Sequence, residues 1–218
     1  MYQVQLKEID TVYSVGKIVC IGRNYFGHVK ELGNEVPDKP VLFIKPSTSI
    51  IHSGDQIRIP AESVDCHHEL ELAVLIGQTG SKVAPANAMS LVAGYGVGID
   101  LTLRDIQSIQ KDKGLPWEIA KGFDTSCPLS DFVPAQNVTD PHNLYMALWV
   151  NGELRQEGST NQMMRRLPEI ISEISQFFTL LPGDVLLTGT PEGVSQIKSG
   201  DSIKAVIDAV GELNVSVA

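Results

Sequence analysis

The sequence predicts a strand-dominated α+β domain, and three observations carry that reading. Turn chemistry leading into aliphatic or β-branched residues recurs in "SGDQIRI", "PGDVLLT" and "SGDSIKAV", each with Gly-Asp ahead of the run. "LYMALWVNGELRQEG" reads as a hairpin with Asn151-Gly152 as its two-residue turn. Helical periodicity is confined to a few segments, and the missing β-α alternation argues against a doubly wound sheet.

In chain order, "KIVCIG" is a strand, and "NYFGHVKELG" is a short helix closed by Gly33. "PVLFIK" and "ELELAVLIG" are strands. "VAGYGVGID" is another. Its Gly94, Gly96 and Gly98 form G-x-G-x-G, one residue short of the dinucleotide fingerprint, and so predict close sheet packing. "TLRDIQSIQKDKG" is a helix from a capping Thr102 to about Gly114. "NQMMRRLPEIISEISQFFTLL" is the longest helical segment. Ile170, Ile171, Ile174, Phe177 and Phe178 follow its spacing, and Pro168 marks a first turn or a break.

The 218 residues are 43% hydrophobic and 20% charged, enough to bury a sizeable core. We expect one domain over residues 1–218, with 1–16 as a lead-in. A net charge of −9 with no basic stripe excludes nucleic-acid and anionic-membrane partners. The N-terminus lacks the pattern of a secretory signal, and no apolar run approaches the ~20 residues that span a bilayer. Cys20, Cys66 and Cys127 are scattered and odd in number, as expected of reduced thiols in a cytoplasmic protein.

"HHELELAVLIG" poses the chemical question. Glu69 and Glu71 share a strand face with Ala73 and Leu75, while Leu70, Leu72, Val74 and Ile76 take the other. Residues two apart on a strand lie ~6.6 Å apart, where two charges repel by roughly 2.5 kcal/mol at an effective dielectric near 20. A solvated strand end or a divalent cation would each relieve this. Asp100 closes the next strand just before a helix, and the three carboxylates together form an all-oxygen set suited to a hard cation. A mixed set with His67 is the weaker variant, and His68 has no assigned role. A nonhaem iron site would want two histidines and one carboxylate.

Other segments add modest signals. His28 and Glu31 lie three apart on one helix face, where a carboxylate can fix an imidazole tautomer. Lys121 sits among Ile119, Ala120 and Phe123. In "LLTGTPEGV", Thr188 and Thr190 offer hydroxyls beside a close-approach backbone. Taken singly, these also fit a surface ion pair, a snorkelling lysine and a plain turn.

Their order is more specific. G-R-N-Y…H-x-x-E, H-H-E-L-E, G-x-D-x-T-x-R-D, A-K-x-F-D, V-N-G-E-x-R-Q and L-T-G-T-P-x-G-V together resemble the fumarylacetoacetate hydrolase family over nearly the whole chain. The likeness is to the short single-domain acylpyruvase and oxaloacetate decarboxylase type. It implies a mixed β-sandwich roll of the fumarylacetoacetase C-terminal-domain type, a homodimer, and Mg²⁺ or Mn²⁺. By position it implies metal ligands Glu69, Glu71 and Asp100, and catalytic His28, Glu31 and Lys121. Substrate contacts fall on Arg23, Arg104, Gln107 and Thr190, and residues 30–40 form a lid segment. The implied reaction is acylpyruvate C–C hydrolysis through a metal-stabilised enolate. Oxaloacetate decarboxylation and keto-enol tautomerisation are the alternatives at the same site. A non-catalytic metal-stabilised binding protein is the alternative of a different class.

Overall fold

The structure, a computed structural model, describes residues 2–9 and 11–218; Met1 and Asp10 of the lead-in lie outside the described residues. Strands dominate, as expected, and they form a mixed sheet with a second sheet packed on it. The larger sheet runs in the order Val41–Pro46, Lys17–Gly22, Val185–Leu187, Leu70–Ile76, Val92–Ile99, Cys127–Leu129, Ile50–His52, with Val133–Pro134 also paired to Val92–Ile99. Two of its pairs are parallel, Val185–Leu187 with Lys17–Gly22 and Cys127–Leu129 with Ile50–His52. The second sheet runs Glu153–Ser159, Tyr145–Val150, Ser202–Ile207, Gly211–Val217, Gln56–Ile57. Three short strands, Thr102–Leu103, Cys66–His68 and Ser195–Ile197, make a third sheet beside the site.

The Leu70–Ile76 strand is buried along its whole length. Its alternation divides it between two cores. Leu70, Leu72, Val74 and Ile76 join the large core, and Ala73 and Leu75 join a smaller one with Val4, Leu6, Ile18 and Phe132. Glu69 and Glu71 therefore continue a face whose inner part is apolar and fixed. The neighbouring glycines let the layers close. A Cβ on Gly94 would lie 2.3 Å from the Val133 carbonyl oxygen, and one on Gly98 would lie 2.8 Å from Leu187.

The hairpin turn has Asn151 and Gly152 at φ 53° and 79°, the left-handed pair that a type I′ turn requires. Two helix expectations need correction. The Arg104–Lys113 helix has Leu103, not Thr102, at its N-cap; Thr102 pairs in a short strand, and its hydroxyl accepts from Lys121 instead. Only Leu167–Phe177 of the longest segment is α-helical, with Pro168 in its first turn. Asn24 holds the preceding 163–166 stretch by accepting from Arg165 N and donating to Arg165 O. Phe177 is 73% exposed, so it does not share the buried face of Ile170, Ile171 and Ile174.

Candidate active site

Glu69 occupies the break between Cys66–His68 and Leu70–Ile76, and Asp100 follows Val92–Ile99. The Asp100 N–H donates to the Glu69 carbonyl at 2.8 Å, and Leu70 pairs with Ile99, so strand register brings the carboxylates together. One oxygen from each of Glu69, Glu71 and Asp100 lies within 4.8 Å of the others. All three are buried, at 4%, 2% and 1% exposure, which rules out a solvated strand end.

Cations share the pocket. Lys121, the last residue of the short Glu118–Lys121 helix, donates to Glu69 Oε2 at 2.8 Å, Asp100 Oδ2 at 2.6 Å and Thr102 Oγ1 at 2.6 Å. Its ammonium lies 5.0 Å from the Phe43 ring centre. Arg104 donates to Glu69 Oε1 at 2.5 Å and to Gln107 Oε1 at 2.9 Å, which leaves the Gln107 amide hydrogens for the pocket. The carboxyls differ in consequence. Burial pushes Glu69 up, but Lys121 and then Arg104 outweigh it and hold its carboxyl well below the usual range. Burial, Asp100 and Glu69 push Glu71 well above it, opposed first by a short bond, 2.6 Å from Gly189 N–H, and then by the Lys121 charge.

These residues fit a hard divalent cation. The donor set is all oxygen, and among the described residues Glu71 has no cationic hydrogen-bond partner. Asp100 Oδ1 lies 2.8 Å from Lys45 Nζ, yet off a hydrogen-bonding direction, so this buried oxygen is ion-paired but accepts no hydrogen bond.

His28 Nδ1 lies 3.3 Å from Glu31 Oε2, and Glu31 Oε1 accepts from Gly193 N–H at 3.0 Å. Glu31 thus stands behind His28, whose Nε2 has no protein partner among the described residues. Arg23 lies at φ 59°, a left-handed strain that aims the chain out of the Lys17–Gly22 strand beside the pocket. Arg23, His28, Glu69, Glu71, Arg104, Gln107, Lys121 and Thr190 all line one pocket. Glu31 and Asp100 sit behind its wall. A wider hollow of about 610 Å³ lies over the second sheet beside Trp149, Lys204 and Val215, but among the described residues it holds no cluster of metal-ligating groups.

His67 pairs with Asp65 at 2.9 Å and stands outside the three-carboxylate group. His68 is fully buried and bonded to Gln156 and Ser195; burial lowers its pKa to about 4. Sequence reasoning missed Lys45, Lys111 and Gln156. Lys45 is fully buried beside Asp100 and donates to Leu101 O, Lys121 O and Ser126 Oγ. The available signal was a lone charge at the end of the apolar run "VLFIK". Lys111 lines the pocket and donates to Asn34 Oδ1 at 3.3 Å.

Comparison with known proteins agrees with this geometry. The family described as fumarylacetoacetate (FAA) hydrolase C-terminal matches residues 17–218. Oxaloacetate tautomerase YcgM of Escherichia coli K12 is 50% identical over 197 residues, 90% of each chain. Mitochondrial oxaloacetate decarboxylase of Dictyostelium discoideum is 47% identical over 192 residues, 88% of each. The crystal structure of fumarylpyruvate hydrolase from Pseudomonas aeruginosa, in complex with Mn²⁺ and pyruvate, superposes with a TM-score of 0.94 at 36% identity, over 99% of this chain and 95% of that one. Sheet, pocket and relatives define an enzyme class acting on small molecules beside a buried acidic cluster. Within it, this chain belongs to the fumarylacetoacetate hydrolase family.

Proposed function

We propose that the chain interconverts the enol and keto forms of oxaloacetate, using Mg²⁺ or Mn²⁺ held by Glu69, Glu71 and Asp100. This reverses the order expected from sequence, which put acylpyruvate hydrolysis first. The tautomerase relative is the nearer of the two in identity, and charge supports the same choice. In the pocket wall and behind it, three carboxylates (Glu69, Glu71, Asp100) meet three cations (Lys45, Lys121, Arg104). Arg23 and Lys111 are further cations on the lining, and neither has a carboxylate partner among the described residues. Burial, then Arg23, Arg104 and Lys121, lower the Lys111 pKa, so this rim is short of negative charge. A dianionic dicarboxylate answers that surplus better than a monoanionic acylpyruvate does.

A bound divalent cation would supply Lewis-acid stabilisation of an enolate. Gln107 and Thr190 hold the substrate's 2-oxygen and adjoining carboxylate, Lys121 keeps its three hydrogens on Glu69, Asp100 and Thr102 and so fixes the acidic cluster, and Arg23 and Lys111 hold the distal carboxylate. His28, oriented by Glu31, carries the proton between the 2-oxygen and C3. Hydrolysis of an acylpyruvate would use the same imidazole to activate water.

The test is a panel with Mn²⁺ or Mg²⁺: enol-oxaloacetate ketonisation, oxaloacetate decarboxylation and acetylpyruvate hydrolysis. Ketonisation is expected to be fastest, and His28→Ala to slow it by about 10²-fold or more. Arg23→Met and Lys111→Met are expected to raise KM for oxaloacetate about tenfold, as for a lost charge-assisted bond, while leaving acetylpyruvate unaffected. Faster hydrolysis than ketonisation would overturn the choice of reaction. A metal-dependent melt with no turnover of any oxo acid would favour a binding protein.

The homodimer and the cytoplasmic setting belong to the same reading. Cys20, Cys66 and Cys127 are all free and buried. Sedimentation giving only a 23.7 kDa species would refute the dimer.

A further inference from the structure

The "TGT" turn holds two threonines with different hydrogen-bond fates. The Thr188 hydroxyl donates to the Leu72 carbonyl at 2.9 Å and is spent on the backbone. Thr190 Oγ1 instead accepts, at 2.8 Å, from Gln156 Nε2. Gln156 reaches it from the Glu153–Ser159 strand of the other sheet and is 1% exposed. Its amide orientation is fixed by two unambiguous backbone partners. The Leu70 N–H can only donate, so the atom 2.9 Å away is the oxygen; the Pro191 carbonyl can only accept, so the atom 3.0 Å away is the nitrogen. The second acceptor position of Oε1 faces His68 Nδ1 at 2.9 Å, which makes that nitrogen a donor. All four positions of the amide are therefore used, and its donor end faces Thr190.

We propose that Gln156 is a positioning residue that sets the polarity of Thr190, occupying its oxygen so that the hydroxyl proton is left for an anionic oxygen of the substrate. Among the described residues, no protein acceptor takes that proton, and Thr190 lines the pocket with Glu69, Glu71 and Lys121. A hydroxyl free to rotate would have to be turned toward an incoming carboxylate or enolate before it could donate. With Gln156 behind it, one lone pair is taken and the proton is kept off that side, so it is left for the positions that face the pocket. The same amide ties the loop after Val185–Leu187 to the start of the Leu70–Ile76 strand, so donor and acidic cluster keep one spacing. This rests on the reading that Thr190 touches the substrate.

The test is a double-mutant cycle on the Mn²⁺-loaded protein, with oxalate as an unreactive enolate mimic and enol-oxaloacetate as substrate. Thr190→Val and Gln156→Met are each expected to weaken oxalate about tenfold or more, the scale of a hydrogen bond to a charged group. The double variant is expected to match Thr190→Val within about twofold, because the two act through one proton. Affinity for Mn²⁺ alone is expected to stay within about threefold of wild type, which a general loosening of the site would not allow. If Gln156→Met does not fold, Gln156→Glu keeps both bonds at the Leu70 end and reverses only the end facing Thr190, and the same loss is expected. Independent, multiplying losses would overturn the proposal, as would oxalate affinity unchanged in either single variant. Lack of turnover by the wild type would instead count against the oxaloacetate reading, and the oxalate cycle would still decide the role of Gln156.

Discussion

Glu71 is placed where stability and function pull apart. It is buried beside Asp100 and Glu69, and one backbone N–H is its main compensation. Glu71→Gln keeps an acceptor for Gly189 and removes the repulsion. We expect it to raise the metal-free melting temperature by about 2–4 °C, from roughly 1 kcal/mol in a chain of this size, while weakening Mn²⁺ binding at least about tenfold. Scanning calorimetry in chelator and a metal titration check the two halves. Lys45 shows the opposite case, a cation buried beside Asp100 and a carbonyl cage. Lys45→Met leaves Asp100 short of its partner and is expected to cost about 3–5 kcal/mol in urea unfolding. A stability within 1 kcal/mol of wild type would contradict that role. Glu69, Glu71, Asp100, His28, Glu31, Lys121, Arg104 and Gln107 were legible because several motifs stood in one order. Lys45 and Gln156 were not. A single lysine at a strand end reads as a snorkelling side chain, and only tertiary placement turned it inward.

Helix starts show how local rules yield to neighbours. Thr102 has the chemistry of an N-cap, but Lys121 claims its hydroxyl, and the helix begins from Leu103 with no side-chain cap. The Leu167–Phe177 helix is started differently. The Leu167 N–H donates to His142 Nε2 at 3.1 Å, a bond only an unprotonated imidazole nitrogen can accept. Burial, then Arg166, lower the His142 pKa. The unfolded chain therefore binds the extra proton first. The contribution of His142 is fully present above the ordinary imidazole value near 6.5 and is lost as pH falls through the lowered one. We expect His142→Gln to flatten the loss of stability below about pH 6.5, measured by urea unfolding across pH. An unchanged pH slope would show that the bond carries no linkage. The strands were more legible than the helices, because alternation in "LELAVLI" and the Asn151-Gly152 turn are written locally. Which sheet each strand joins depends on crossovers such as Val185–Leu187 beside Lys17–Gly22, which pattern alone does not encode.

At the scale of the molecule, the acidic cluster sits where two sheets and two cores meet, so filling it is expected to stabilise the entire fold. Mn²⁺ at 100 times its Kd is expected to add about 2.7 kcal/mol, or roughly 5–10 °C in melting temperature, reversed by chelator. No shift would sink the cation site. The ties around the His28 helix bear on how this chain can change length. Asn24 donates to Thr188 O, Glu31 accepts from Gly193 N–H, and a Cβ on Gly27 would meet Glu192 at 2.0 Å. Residues 22–31 and 188–193 are thus cross-stitched, and one inserted residue in either would pull Glu31 off Gly193 or Thr190 off Gln156. Beyond Gly33 the chain runs partly exposed to Val41, held by Asn34 to Lys111 and by Pro37 and Asp38 to Arg165. Insertions and deletions there cost little loop-closure entropy and leave every reacting group in place. The gene can therefore lengthen or shorten the rim of the pocket, and with it the range of substrates admitted, without reopening the question of chemistry.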